Sequence, residues 1–109
     1  MRIHGIEVKG SEVDRKTRCK HYKTEQDIIA IKFSCCGIYY PCYQCHEAHS
    51  DHPARPWNKE SFNEKAVLCG NCGQELTIMQ YLHAHSSCPY CHADFNPGCR
   101  NHRHLYFQV

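Results

Sequence analysis

Apolar positions come in short runs separated by polar, glycine-marked and proline-marked breaks. Residues 1–18 are polar with small apolars at Ile3, Ile6 and Val8 before Gly10-Ser11, which predicts an N-terminal edge strand or a loose arm. Asp27-Ile28-Ile29-Ala30-Ile31-Lys32-Phe33 is β-branched and aromatic and predicts a strand. Ile38-Tyr39-Tyr40, just beyond Gly37, is placed to return antiparallel, giving a hairpin with thiols at its turn. Between residues 51 and 65 the pattern is lost: His52-Pro53-Ala54-Arg55-Pro56 breaks any helix, and Trp57 and Phe62 are the large apolar groups. This predicts a connector, with Trp57 packed across the junction rather than stacked on a ligand. Ala66-Val67-Leu68-Cys69 predicts a short strand. Thr77 with Gln80 three residues on is a capping box, and Ile78 with Leu82 is an i, i+4 apolar pair, so a two-turn helix is expected there. Asn96-Pro97-Gly98 predicts a turn, and Leu105-Tyr106-Phe107 a final strand.

These runs are too few to carry a fold alone. The chain has 109 residues, room for one domain, and its 41% hydrophobic content already counts ten cysteines and seven tyrosines. A small domain so poor in aliphatics needs a staple. Two are available, disulfides and metal. No apolar run opens the chain at Met1-Arg2-Ile3-His4-Gly5-Ile6-Glu7, so no secretory signal is expected, and adjacent Cys35-Cys36 pairs badly with itself. The histidines interleaved with the cysteines favour zinc, because imidazole is a zinc ligand and contributes nothing to a disulfide. A structural zinc site supplies on the order of 10 kcal/mol, more than any other single term in such a chain.

The densest stretch is Cys35-Cys36-x5-Cys42-x2-Cys45-His46-x5-His52. With Cys19-x-His21 it offers eight donors, enough for two four-coordinate ions. Pairing Cys19 and His21 with Cys42 and Cys45 leaves Cys35, Cys36, His46 and His52, one division among several. Neighbouring side chains diverge in extended backbone, so Cys45 and His46 are expected to serve different ions. Cys69-Gly70-Asn71-Cys72-Gly73 and Cys88-Pro89-Tyr90-Cys91 are two C-x2-C knuckles whose four thiolates close a tetrahedral shell, with Gly73 allowing the tight exit. A redox C-x2-C would want a single motif at a helix start within a βαβ pattern, which is missing. Cys99, His102 and His104 could hold a fourth ion, with a buried thiol and two surface imidazoles as the alternative. An open three-ligand shell there would be the one arrangement resembling a catalytic zinc. His4, His49, His83, His85 and His92 fit no ligand spacing and are expected in solvent. Asp27, Glu47, Asp51 and Glu75 are isolated carboxylates expected as caps or surface charges.

Charge changes the picture of partners. The formal +2 falls to about −1 once nine ligating thiolates and three divalent ions are counted, and the densest basic groups, Arg15-Lys16-x-Arg18-x-Lys20 and Arg100-x-x-Arg103, are short. Phosphate binding needs a clustered positive field, so no nucleic-acid partner is expected, and Tyr22, Tyr39, Tyr40 and Tyr43 are assigned to packing around the zinc sites. No run approaches a membrane span.

Cys19-x-His21-Tyr22, Cys35-Cys36, Cys42-x2-Cys45-His46, His52 and the two later C-x2-C pairs resemble the CHY-type zinc finger, found at the N-terminus of certain RING ubiquitin ligases and as small free-standing proteins. Asp27-Ile28-Ile29-Ala30-Ile31, Leu76-Thr77-Ile78, and the stretch from Asn96-Pro97-Gly98-Cys99 to Leu105-Tyr106-Phe107 are similar to the free-standing members, bacterial and mitochondrial. The resemblance implies three zinc ions on Cys19, His21, Cys35, Cys36, Cys42, Cys45, His46, His52, Cys69, Cys72, Cys88 and Cys91. No RING is expected, and ubiquitin ligation is not carried over.

The expected fold is a small zinc-stabilised α+β domain, with short β-hairpins and one short helix arranged around about three zinc ions and a zinc-ribbon-like C-terminal lobe. An arm over 1–18 would precede a domain over 19–109, divided into a two-zinc lobe (19–52), a connector (53–65) and a one-zinc lobe (66–109). The expected function is non-catalytic zinc binding with a protein partner, because no Ser/His/Asp, Cys/His or paired-carboxylate set is left over for chemistry. The alternative is a zinc- and thiol-handling accessory factor of a disulfide relay. The expected compartment is the cytoplasm, or the mitochondrial intermembrane space if the source is eukaryotic.

Overall fold

A computed structural model describes residues 2–10, 12–19, 27–84, 86–95 and 106–107. Its centre is a four-stranded antiparallel sheet of order β4-β3-β5-β6, with β3 over Ile29–Lys32, β4 over Tyr39–Tyr40, β5 over Lys65–Cys69 and β6 over Glu75–Thr77. β3 and β5 occupy the middle, in register Ile29↔Cys69, Ala30↔Leu68 and Ile31↔Val67. A central strand is buried on both faces, which is why 28–31 and 66–69 read as continuous apolar runs. The hairpin expected from Gly37 is present: Gly37 lies at φ 68° and its N–H donates to Phe33 O at 2.7 Å.

The twofold period of the strands divides the core between the two faces of the sheet. Ile29, Ile31, Val67 and Leu76 point to the front, where Phe33, Tyr40, Phe62, Ile78, Phe95 and Phe107 complete the larger cluster. Ala30, Leu68 and Tyr39 point to the back and meet Ile3 and Val8. Those last two belong to an N-terminal hairpin, β1 over Arg2–Ile3 and β2 over Ile6–Glu7. Its two-residue turn has positive φ at both His4 (51°) and Gly5 (83°), the combination whose twist suits a tight hairpin. Val8 then bridges Tyr39, so the N-terminal segment lies along the sheet edge and over its back.

Two helices flank the sheet. α1 covers Tyr43–His49 and α2 covers Ile78–Leu82. The expected capping box starts α2: Gln80 N–H donates to Thr77 Oγ1 at 3.0 Å, and Thr77 N–H donates to Gln80 Oε1 at 2.9 Å. The helix runs five residues rather than two full turns. α1 was not marked by aliphatic periodicity, because its buried face is Cys45 and His46. Cys42 caps it, the Sγ accepting from Cys45 N–H at 3.4 Å.

The connector is tied to the sheet through Trp57, whose indole N–H donates to Lys32 O at 2.6 Å and whose backbone N–H donates to Tyr106 O at 2.7 Å. Trp57 and Phe107 form an isolated parallel bridge. Leu105 and the expected turn at Asn96-Pro97-Gly98 lie outside the described residues. Asp27, expected as a cap or surface charge, is buried.

Two substitutions test this packing. A Cβ on Gly70 would run into the backbone of Lys16 and Ile28, neither of which can move as a side chain would. Gly70→Ala is therefore expected to destabilise by about 2 kcal/mol or more, in the range of overpacking costs, read as a lower urea midpoint. The Tyr39 hydroxyl is buried without a hydrogen-bond partner among the described residues, and burial, with Glu75 nearby, pushes its pKa well up. Tyr39→Phe removes that orphaned group and is expected to raise stability by about 1 kcal/mol; a clear loss would mean the hydroxyl has a partner.

Candidate metal centres

Three groups of donors line the front of the sheet. In each, the ligand atoms lie within 4.8 Å of one another: Cys19, Cys42 and Cys45; Cys35, Cys36, His46 and His52; and Cys69, Cys72, Cys88 and Cys91. All nine described cysteines are unbridged. The measured Sγ–Sγ separations are 3.6 Å for Cys19–Cys42, 3.7 Å for Cys72–Cys88 and 3.8 Å for Cys69–Cys91. Sulfurs at about 2.3 Å from a common tetrahedral centre lie about 3.8 Å apart, so these separations match the edges of metal tetrahedra.

The first group is assembled from a loop and a helix start. Asp14 closes the loop before Cys19 by accepting from the N–H groups of Lys16 (2.9 Å) and Arg18 (3.0 Å) and from Arg18 Nε at 2.6 Å. Cys42 caps α1 and Cys45 lies on its first turn, and all three thiols are buried. Their crowding raises the Cys42 pKa strongly, through shared hydrogen bonds with Cys19 and Cys45 first and burial second. Buried thiols so close cannot all ionise unless a cation compensates them. His21, expected as the fourth ligand, lies outside the described residues.

The second group takes Cys35 and Cys36 from the β3–β4 turn, His46 from α1 and His52 from the segment after it. His46 is fully buried, its ring stacked on Phe33 at 4.3 Å and met edge-on by Tyr40 at 5.1 Å. Its Nε2 lies 3.3 Å from Cys35 Sγ and 4.0 Å from Cys36 Sγ. On the other side Nδ1 lies 3.4 Å from Ser50 Oγ, which itself donates to His52 O at 2.9 Å. With its proton committed there, Ser50 accepts from Nδ1–H and leaves the Nε2 lone pair turned toward the thiols. Burial, with His52 adding to it, lowers the His46 pKa and favours the neutral form that metals bind. His52 repeats the device: Nδ1 meets Asp51 Oδ1 at 3.0 Å, while Nε2 is buried with no hydrogen-bond partner among the described residues. A carboxylate on one imidazole nitrogen and an orphaned lone pair on the other is the arrangement of a metal histidine.

The third group pairs two knuckles. Gly73 N–H donates to Cys69 O at 2.8 Å, and His92 N–H donates to Cys88 O at 2.9 Å. The residue after each knuckle's second cysteine is left-handed, Gly73 at φ 80° and His92 at φ 64°. Asn71 Nδ2 donates to Cys91 Sγ and Tyr90 N–H to Cys88 Sγ, each at 3.4 Å. Burial pushes the Cys69 thiol well up. At Cys91 burial also pushes upward but is outweighed by the Asn71 amide, the Ala93 N–H and the neighbouring sulfurs of Cys88 and Cys72, bringing it down to about 7.

Eleven of the twelve expected donors fall in these groups, Cys19 beside Cys42 and Cys45, and Cys35 and Cys36 beside His46 and His52. The reason given for separating Cys45 from His46 was incomplete, since they diverge around a helix rather than along a strand. Ser50, Asn71 and Asp51 were missed as supporting groups; Asp51 directly before a candidate ligand was the one available hint. His4 is exposed as expected, yet its Nε2 lies 3.3 Å from Gly70 O, beside the third group. Cys99, His102 and His104 lie outside the described residues.

Groups of four, four and three soft donors around a thin core define a small α+β protein held by about three zinc ions. The CHY zinc finger family model matches residues 19–81, and the chain belongs to that family. It is 41% identical to Helper of Tim protein 13 of Saccharomyces cerevisiae over 102 residues, covering 91% of this chain and 88% of the relative. An uncharacterised Schizosaccharomyces pombe protein is also 41% identical, over 101 residues, with 93% and 88% covered. Helper of Tim protein 13 of Kluyveromyces lactis is 37% identical over 101 residues, again with 93% and 88% covered.

Metal removal tests the staple. Thorough chelation is expected to abolish the cooperative melt followed by circular dichroism, with a loss on the order of 10 kcal/mol per site. Because raised thiols release protons when an ion binds, the same loss should set in on acidification. A chelated protein that still melts cooperatively would show that the ions are dispensable.

Proposed function

We propose that the chain is a non-catalytic, zinc-stapled module that engages protein partners. Its ions would be held by Cys19, His21, Cys42 and Cys45; by Cys35, Cys36, His46 and His52; and by Cys69, Cys72, Cys88 and Cys91. The observation that carries this reading is closure: the second and third groups already present four donors each, and the first presents three with His21 two residues from Cys19. A four-coordinate shell leaves no position for water or substrate. The partner class follows the relatives' name, Helper of Tim protein, which makes a small Tim protein the first partner to test. On this reading the compartment is the intermembrane space rather than the cytoplasm. Among the described residues no helix is long and apolar enough to cross a membrane. The division at the connector 53–65 belongs to the same proposal as a division of the zinc sites along the sequence, not of the packing, since β3 and β5 pair across it.

A second reading, zinc and thiol traffic in a disulfide relay, is favoured by the half-buried thiols of Cys35 and Cys36.

The first reading predicts three zinc equivalents per chain by elemental analysis, zinc absorption fine structure fitted by sulfur and nitrogen alone, and zinc-dependent association with a reduced small Tim protein by calorimetry. An oxygen donor on any ion would open a shell and overturn the non-catalytic assignment. Full association after chelation would detach partner binding from the metal.

A further inference from the structure

The three groups differ in a way that neither reading uses. Cys19, Cys42 and Cys45 are 1%, 3% and 0% exposed, and in the third group Cys69 and Cys88 are both 0% exposed while Cys72 and Cys91 are half-buried. In the second group three of four donors, Cys35, Cys36 and His52, are only half-buried. Their backbone support differs too. Cys69 ends the central strand β5, and Cys42 and Cys45 begin a capped helix. Cys35 and Cys36 lie on the turn of a hairpin whose second strand has two residues, and His52 lies in irregular chain. That turn can open without breaking a β3–β5 pair.

We propose that the group of Cys35, Cys36, His46 and His52 is an exchange site, from which a divalent ion passes to and from a competing thiol- or imidazole-bearing ligand while the other two groups hold the fold. The inference rests on the zinc reading above and assigns the traffic to one site. With two thiolates where the third group has four, its hold on a soft ion is the weaker. Its exposed side lets an incoming ligand reach the ion before the outgoing ones leave. The ion is transferred whole; each freed thiolate takes up a proton from solvent, and no electrons move.

Contacts other than the ion also hold the two histidines. His46 is clamped between Phe33 and Tyr40 and oriented by Ser50, and His52 is held by Asp51. Asp51 and Ser50 are positioning residues in this scheme, setting how fast the ion leaves rather than binding it.

The test uses the full chain loaded with zinc, its content measured first. Fewer than three equivalents would count against the zinc reading itself, separately from the exchange proposal. On challenge with excess chromogenic chelator, one equivalent is expected to leave severalfold faster than the rest, with circular dichroism unchanged. Asp51→Asn should accelerate that phase by about tenfold, and His52→Ala should remove it. In cadmium-113 spectra of the wild-type chain, the resonance lost first should be that of a two-sulfur, two-nitrogen shell, upfield of the four-sulfur one. This readout needs no variant to fold. Loss of all ions in one phase together with the fold, or first loss of the four-sulfur or three-sulfur resonance, would overturn the proposal.

Discussion

Everything in this structure depends on sulfurs held 3.6–3.8 Å apart in the front of a thin core. That spacing is too long for a disulfide, which needs about 2.05 Å, and too short for buried thiolates that repel with nothing between them. A divalent ion resolves the conflict, because it supplies the positive charge and fixes the separation at once. The aliphatic content then matters less: Ile29, Ile31, Val67, Leu76 and Ile78 need only seal one side of sites whose bonds carry the larger share of the energy.

The apolar groups are placed to serve the ligands as much as to exclude water. Phe33 follows β3 and stacks on His46, and Tyr106 meets Phe33 edge-on at 5.6 Å. The Tyr106 hydroxyl also accepts from Tyr43 N–H at 2.9 Å, satisfying one of the free donors at the start of α1. A residue near the C-terminus thereby fixes the helix that carries Cys45 and His46. Trp57 fastens the connector to β3 and to the same C-terminal pair through two backbone-directed bonds. The front core and the ligand shells are therefore one packing unit.

Legibility followed the range of the interactions. The Cys35-Cys36 turn, the Thr77 capping box, the Gly73 exit and the C-x2-C knuckles are local, fixed by spacing and by a few backbone angles, and the sequence displayed them directly. The α+β class and the count of about three ions followed from those features and from the shortage of aliphatics. What could not be read was long-range: the β3–β5 pairing, the Tyr106 contact and the N-terminal hairpin over the back of the sheet. α1 was hidden for another reason. Periodicity searches look for aliphatic stripes, and here the inward stripe is a thiol and an imidazole, residues ordinarily scored as polar or ambiguous. Asp51 and Ser50 were invisible as supporting groups because their role is defined by which imidazole nitrogen they face, a matter of rotamer rather than spacing.

The antiparallel pairing of β3 with β5 also decides how the sites relate. Cys69 stands opposite Ile29 at the start of β3, whereas Cys35 and Cys36 follow its end. The four residues of β3 hold those ends about 10 Å apart, more than the span of one coordination shell. The second and third groups thus terminate the central strands at opposite ends, and opening one leaves the ladder bonds at the other intact. Had β3 and β5 been parallel, with both groups at one end, loss of one ion would have loosened the strand ends holding the next. Antiparallel pairing is what keeps the half-buried group at one end of the sheet separate from the group at the other.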